Sequence, residues 1–188
     1  MEKLLEIDSQ VFLWINHWAG RSALGDYVVA LLVSDYFVPV VLSLFLLGMW
    51  FWGRNIDETD LMQRSVIRAL VTIAVVGFVV HVLNQAYFRP RPFSEHDIVL
   101  LFYQPTDSSF PANPAAISFA VAHSAWHGSK GIGKGAYLLA AIWSISRVYA
   151  GVFYPIDVIA GALIGIVASI VVGLALQKIE PIPTIILR

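Results

Sequence analysis

The chain has 188 residues, of which 58% are hydrophobic and only 13% charged, and its mean hydropathy is +0.73. A water-soluble domain of this length would expose more apolar surface than so few charges can cover, so the solvent implied is a lipid bilayer. The formal net charge of −1 offers no basic surface for a nucleic acid, and the lack of cysteine excludes disulfides, thiolate metal sites and cysteine nucleophiles.

The N-terminus carries Glu2, Lys3, Glu6 and Asp8, with no apolar run ending in a small-residue cleavage site. It is therefore expected to stay in place, with the first span serving as an uncleaved insertion signal. Val11 to Trp18 is too short to span and is rich in tryptophan, so 1–22 is expected to lie at the interface as an amphipathic helix. Tyr27 to Val33 is apolar but is interrupted by Ser34 and Asp35, which suits a short span or a re-entrant piece. Phe37 to Trp52 reads as a span ending in interfacial tryptophans, and a polar loop, Arg54 to Arg64, follows. Val66 to Tyr87 has the length needed to cross a bilayer. Phe88 to Ser109 is the longest polar stretch and is expected to be a loop. Pro111 to Trp126, Gly135 to Ala150 and Ile156 to Leu176 complete the helices, and the tail 177–188, with two prolines, is expected to be irregular. The expectation is one all-α domain over 1–188. It is a polytopic bundle of about five or six membrane helices, with its core over 26–176.

Lys and Arg set the orientation. Arg54, Arg64, Arg68, Lys130, Lys134, Lys178 and Arg188 fall on one side, expected to be cytoplasmic. The loop 88–109 and the corner at 153–157 fall on the other. Arg89, Arg91 and Arg147 break this asymmetry and call for a separate reason. Arg147 lies inside an apolar stretch, Ala140 to Val152, and a charge there is a functional signal by default. Arginine forks bind phosphate bidentately, so two arginines converging near one membrane face would make an anion site at headgroup level.

Three segments then resemble the type 2 phosphatidic acid phosphatases, relatives of the vanadium haloperoxidases. Their signature is KxxxxxxRP, then PSGH or a close variant, then SRxxxxxHxxxD. Here the first segment runs from Asn84 to Arg91-Pro92, the second reads Pro111-Ala112-Asn113-Pro114, and the third runs from Ser146-Arg147 through Phe153 to Asp157. Order and spacing agree from about Asp26 to Leu176. The resemblance implies a membrane lipid phosphatase scaffold with no metal and no cofactor. It assigns the phosphate ligands to Arg91, Arg147 and the positions of Asn84 and Asn113. It puts the nucleophile at Phe153, the general acid at Pro114, and the carboxylate that orients the nucleophile at Asp157. The family's lysine, serine and two histidines are thus replaced by Asn84, Ala112, Pro114 and Phe153. Phenylalanine has no nucleophilic atom and proline no titratable group, and groups that act as a unit fail together.

The function expected is that of a catalytically impaired relative, a pseudoenzyme. It binds a phosphorylated lipid, polyprenyl or phosphatidyl, at an extracytoplasmic arginine pocket of the cell membrane, to present, sequester or carry it. Two alternatives stand beside this: a structural membrane partner without ligand, in which Arg91, Arg147 and Asp157 hold the helices together, and an active phosphatase with an atypical nucleophile. In the structural case Asp157 would pair with Arg147. For the active case His81 shares a helix face with Asn84, although a hydrogen bond to another helix also accounts for it. His123 and His127 have metal-ligand spacing but no third ligand nearby, which suits a polar helix end. His96 is expected in solvent, and Tyr149 and Tyr154 as headgroup contacts or interface anchors.

Overall fold

A computed structural model describes residues 2–178, and the tail beyond lies outside the described residues, as does most of the segment expected to be irregular. The described residues form helices α1 (Glu2–Asn16), α2 (Ala23–Val33), α3 (Phe37–Phe51), α4 (Ile56–Ala86), α5 (Pro92–Glu95), α6 (Asn113–Gly128), α7 (Lys130–Tyr149) and α8 (Pro155–Lys178). The all-α membrane bundle is therefore the architecture observed. By length and apolarity α4 and α8 can each cross a bilayer, and α2 with α3 makes a third span if the pair, bent by 53°, is counted as one. The sequence expectation of five or six also counted α6 and α7. Helix α6, with 16 residues, is shorter than a span, and α7, with two lysines, an arginine and inward small and polar residues, is less apolar than one, although both stand beside α4 or α8.

Two expected loops are helix instead. Of the segment 54–64, residues 56–64 form the first turns of α4 because Asn55 caps it, its side chain accepting from the Glu58 amide at 2.8 Å. Asp57 and Glu58 then sit where the helix dipole favours acids. Ser129 likewise caps α7, which starts at Lys130 rather than near Gly135.

Helix α6 lies at the centre, packed against α4, α7 and α8. Its inward positions are small, among them Ala115, Ala116, Ser118 and Ala120, and this allows backbones to approach closely. Gly161 and Gly165 of α8 complete the fit: a Cβ on either would come within 2.4 Å and 2.1 Å of the Ala112 and Ala116 carbonyl oxygens. Ser124 and Ser169 bond across the same seam at 2.9 Å. Gly165→Ala is therefore expected to lower stability by about 1–3 kcal/mol through overpacking, read as a fall in the thermal midpoint in detergent. Gly77→Ala, whose Cβ meets nothing within 4 Å, serves as the contrast.

The outer surface is apolar. Ile159, Leu163, Val167 and Val171 recur every four residues along the exposed side of α8, and Val71, Val75, Phe78 and Val82 recur every three or four along α4. Helix α1 begins well before Val11 and faces the bundle with Asp8, Phe12 and Asn16, which are buried at successive turns, while Leu4, Ile7, Val11 and Trp14 point out. It is thus pinned to the bundle as well as amphipathic. Asn16 donates to the carbonyls of Val99 and Tyr149 at 2.9 and 2.8 Å.

Candidate functional site

One end of the bundle gathers the C-termini of α4 and α7 and the N-termini of α6 and α8. The segment 87–112 folds over this end. Its backbone is tied in by bonds from the Ser109 amide to the Arg89 carbonyl, from Leu101 to Ala150, and from Ala112 to Asp157. The turn between α7 and α8 needs Gly151, whose φ is +86° and whose missing Cβ leaves room for Ile98 and the Val99 carbonyl.

A cavity of about 140 Å³ lies under this cover. Arg91 and Arg147 both line it, together with Asn84, Asn113, Pro114 and Phe153. Six of the seven residues singled out from the sequence therefore meet around one space. The exception is Asp157.

Each arginine is held by a carboxylate from the rim. Arg147 Nη2 donates to Asp35 at 2.6 Å, and its guanidinium lies over the rings of Phe102 and Trp143 at 4.7 and 5.1 Å. Arg91 Nη2 donates to the Asp107 carboxylate at 2.7 Å and its Nε to the Asp107 carbonyl at 3.0 Å, and Nη1 reaches the Val152 carbonyl at 3.2 Å. The face of Phe153 lies 4.3 Å below the Arg91 guanidinium, so the ring supports the cation that a histidine there would have repelled when protonated. Both guanidiniums are buried, whereas the Asp35 and Asp107 side chains are 45% and 59% exposed. Arg147 Nε and Asn84 Oδ1 are buried with no hydrogen-bond partner among the described residues. Such groups are rare in folded proteins and here border the cavity.

Asp35 owes its place to the break the sequence announces at Ser34 and Asp35. Ser34 Oγ accepts from the Phe37 amide at 3.2 Å as the chain bends from α2 into α3, and Asp35 projects from that bend. Tyr103 donates to the other Asp35 oxygen at 3.0 Å. Burial first, then the Asp35 carboxylate, raise the Tyr103 phenol above its ordinary range, so it remains a donor.

Asp157 neither lines the cavity nor pairs with Arg147. It forms a buried ion pair with Arg89 and accepts from Ser109 Oγ at 2.5 Å. Arg89 also reaches Asp8 of α1 at 2.7 Å, and Asp8 in turn accepts from the Ile156 amide at the start of α8, at 2.9 Å. Tyr154 lies under Arg89, 4.1 Å from its guanidinium, and donates to Glu95 at 2.7 Å. Burial opposes the charge on Arg89, but Asp8 and Asp157 outweigh it and hold the guanidinium above its ordinary range. The pairing expected with Arg147 fails because Arg147 leaves α7 toward the α2–α3 bend, while Asp157 faces α1 and the 87–112 segment.

Several other expectations change. His81 is exposed, and among the described residues it bonds Gln85 of its own helix alone, at 3.1 Å, and does not line the cavity. His96 is half-buried and packs against Phe12 and Tyr154 rather than sitting in solvent. Tyr149 bonds the Trp18 carbonyl and Asp26, and Tyr154 is 1% exposed, so both bind protein rather than headgroups. His123 bonds Tyr137 at 2.6 Å at the far end of α6. Sequence reasoning missed Asp35, Tyr103 and Asp107 around the cavity, and Asp8, Arg89 and Ser109 behind it. The signal for Arg89 was present in the charge asymmetry of its loop.

An all-helical membrane bundle with two arginines at one cavity places the chain in a class of membrane phosphatases and their relatives. The pattern defining the PAP2 superfamily matches residues 65–180, and the chain belongs to that family. It is similar to undecaprenyl-diphosphatase BcrC of Bacillus subtilis, with 23% identity over 95% of this chain and 89% of that protein. It is also similar to the putative undecaprenyl-diphosphatase YbjG of Escherichia coli, at 28% over 76% and 69%. Among solved structures, LpxE of Aquifex aeolicus matches with a TM-score of 0.68 at 31% identity, covering 87% of this chain and 92% of that one. The PAP2-type phosphatidylglycerolphosphate phosphatase of Bacillus subtilis shares the fold at a TM-score of 0.68 and 20% identity, over 96% and 90%.

Proposed function

We propose that this chain binds a phosphorylated membrane lipid at the arginine cavity and does not hydrolyse it. The observation that carries the reading is the convergence of Arg91 and Arg147 on one cavity whose nucleophile and general-acid positions are Phe153 and Pro114. A phosphate entering between the arginines exchanges with the exposed Asp35 and Asp107 carboxylates, accepting from the same Nη2 donors. Arg147 Nε supplies a donor that has no other partner among the described residues. Asn113, at the first turn of α6, adds a helix N-terminus facing the anion. No group at Phe153 can attack phosphorus, and none at Pro114 can protonate a leaving oxygen. The relatives named as undecaprenyl-diphosphatases support a polyprenyl phosphate or pyrophosphate as the ligand. The basic residues Arg54, Arg64, Lys130 and Lys178 gather at the opposite end of the helices, which supports an extracytoplasmic cavity.

The test uses purified protein in detergent with a panel of lipid phosphates and pyrophosphates, following phosphate release and thermal midpoint together. The expected result is stabilisation without release. A ligand present at 100 times its Kd contributes about 2.7 kcal/mol, or roughly 5–10 °C for a chain of this size. Phosphate release above that of the Arg91→Ala, Arg147→Ala double variant would overturn the impaired reading.

A further inference from the structure

A second cavity, of about 200 Å³, opens between α4, α6 and α8 at the end of the bundle remote from the first. Arg68 and Asn84 lie sixteen residues apart on α4, so the two cavities are separated by roughly 24 Å at 1.5 Å per residue. The lining is divided in character. Arg64 and Arg68 are cationic and His127 is polar, while Leu61, Ile67 and Leu176 are apolar.

Arg68 is unlike the arginines at the other end of the bundle. Arg89, Arg91 and Arg147 each have a carboxylate partner, and Arg64 has Asp60 at 2.7 Å. Arg68 has none among the described residues. Its Nε donates to the Ser169 carbonyl at 2.9 Å, which fixes the plane of the fork. The guanidinium lies against Gly173, where a Cβ would come within 2.4 Å of Cζ, so the glycine is what admits it. A half-buried guanidinium on a membrane helix, oriented through Nε and lining a cavity, calls for an anion.

We propose that this cavity binds the phosphate of an anionic phospholipid from the leaflet at that end, with Arg68 as the principal ligand, Arg64 and His127 beside it, and the apolar wall against the lipid's glycerol and acyl region. Free phosphate shares the charge but makes no use of Leu61, Ile67 and Leu176, which is the reason for choosing the lipid.

The experiment uses the Arg91→Ala, Arg147→Ala protein, in which the first cavity is silenced, in mixed micelles of phosphatidylglycerol and phosphatidylcholine. Retained lipid is counted by native mass spectrometry. The expected result is preferential retention of one phosphatidylglycerol, reduced at least about tenfold by Arg68→Gln through loss of a charge-assisted contact and largely kept by Arg68→Lys. Millimolar inorganic phosphate should leave the lipid bound. Equal retention in the Arg68→Gln variant would overturn the proposal, and complete displacement by inorganic phosphate would overturn the choice of a lipid. Should Arg68→Gln not fold, the parent alone decides, because a parent with no preference for phosphatidylglycerol has no such site.

Discussion

Arg147→Ala is expected to weaken binding of a lipid phosphate by about 2–4 kcal/mol, roughly 30- to 1,000-fold, the range for truncating one member of a buried charged contact. The guanidinium is 3% exposed, lies over two aromatic rings and has an unpartnered Nε at the cavity, so its charge acts where water screens little. Its partner Asp35 is 45% exposed and can return to water, so the variant should stay folded. Asp35→Asn should move affinity the other way, because the competing carboxylate charge is gone. Binding isotherms for the two variants in one detergent give the answer. An Arg147→Ala protein with the parent's affinity would remove the cavity from the functional argument.

Arg89→Ala should act on stability instead. It strands Asp8 and Asp157, whose side chains are both fully buried, without their cation. Leaving buried charge uncompensated costs about 3–5 kcal/mol, or roughly 6–20 °C in thermal midpoint at this chain length. The network joins α1, the 87–112 segment and α8, so α1 should also become accessible to protease. Affinity for the lipid phosphate should change far less, since Arg89 does not line the cavity. A midpoint within a degree of the parent would show that the triad adds nothing to stability.

These two variants separate roles that the linear motif ran together. By resemblance, Asp157 is the carboxylate that orients a histidine. In this chain the nucleophile position is Phe153, and the Asp157 carboxylate is committed to Arg89 and Ser109. Phe153 meanwhile supports the Arg91 guanidinium with its ring face. Both substituted environments are internally consistent, which supports the proposed anion-binding reading.

The bilayer as solvent, the all-helical class and the approximate place of each long helix were legible in the sequence, because each depends on runs of neighbouring residues. So were six of the residues that line the first cavity, because the spacing of three motifs marks them, whereas Asp35, Tyr103 and Asp107 lie outside those motifs. The polar stretches at 54–64 and 130–134 were misread as loops because capping by Asn55 and Ser129 extends a helix past the end of its apolar run. What only the tertiary structure decided is which charge meets which. The pairs Arg89–Asp157, Arg89–Asp8 and Arg147–Asp35 join residues 68, 81 and 112 positions apart. No local pattern encodes such distances. They follow from the glycine and alanine seam that sets α8 against α6, from the bend between α2 and α3, and from the docking of α1. Each of these is a packing outcome that brings together side chains whose chemistry was visible in the sequence but whose partners were not.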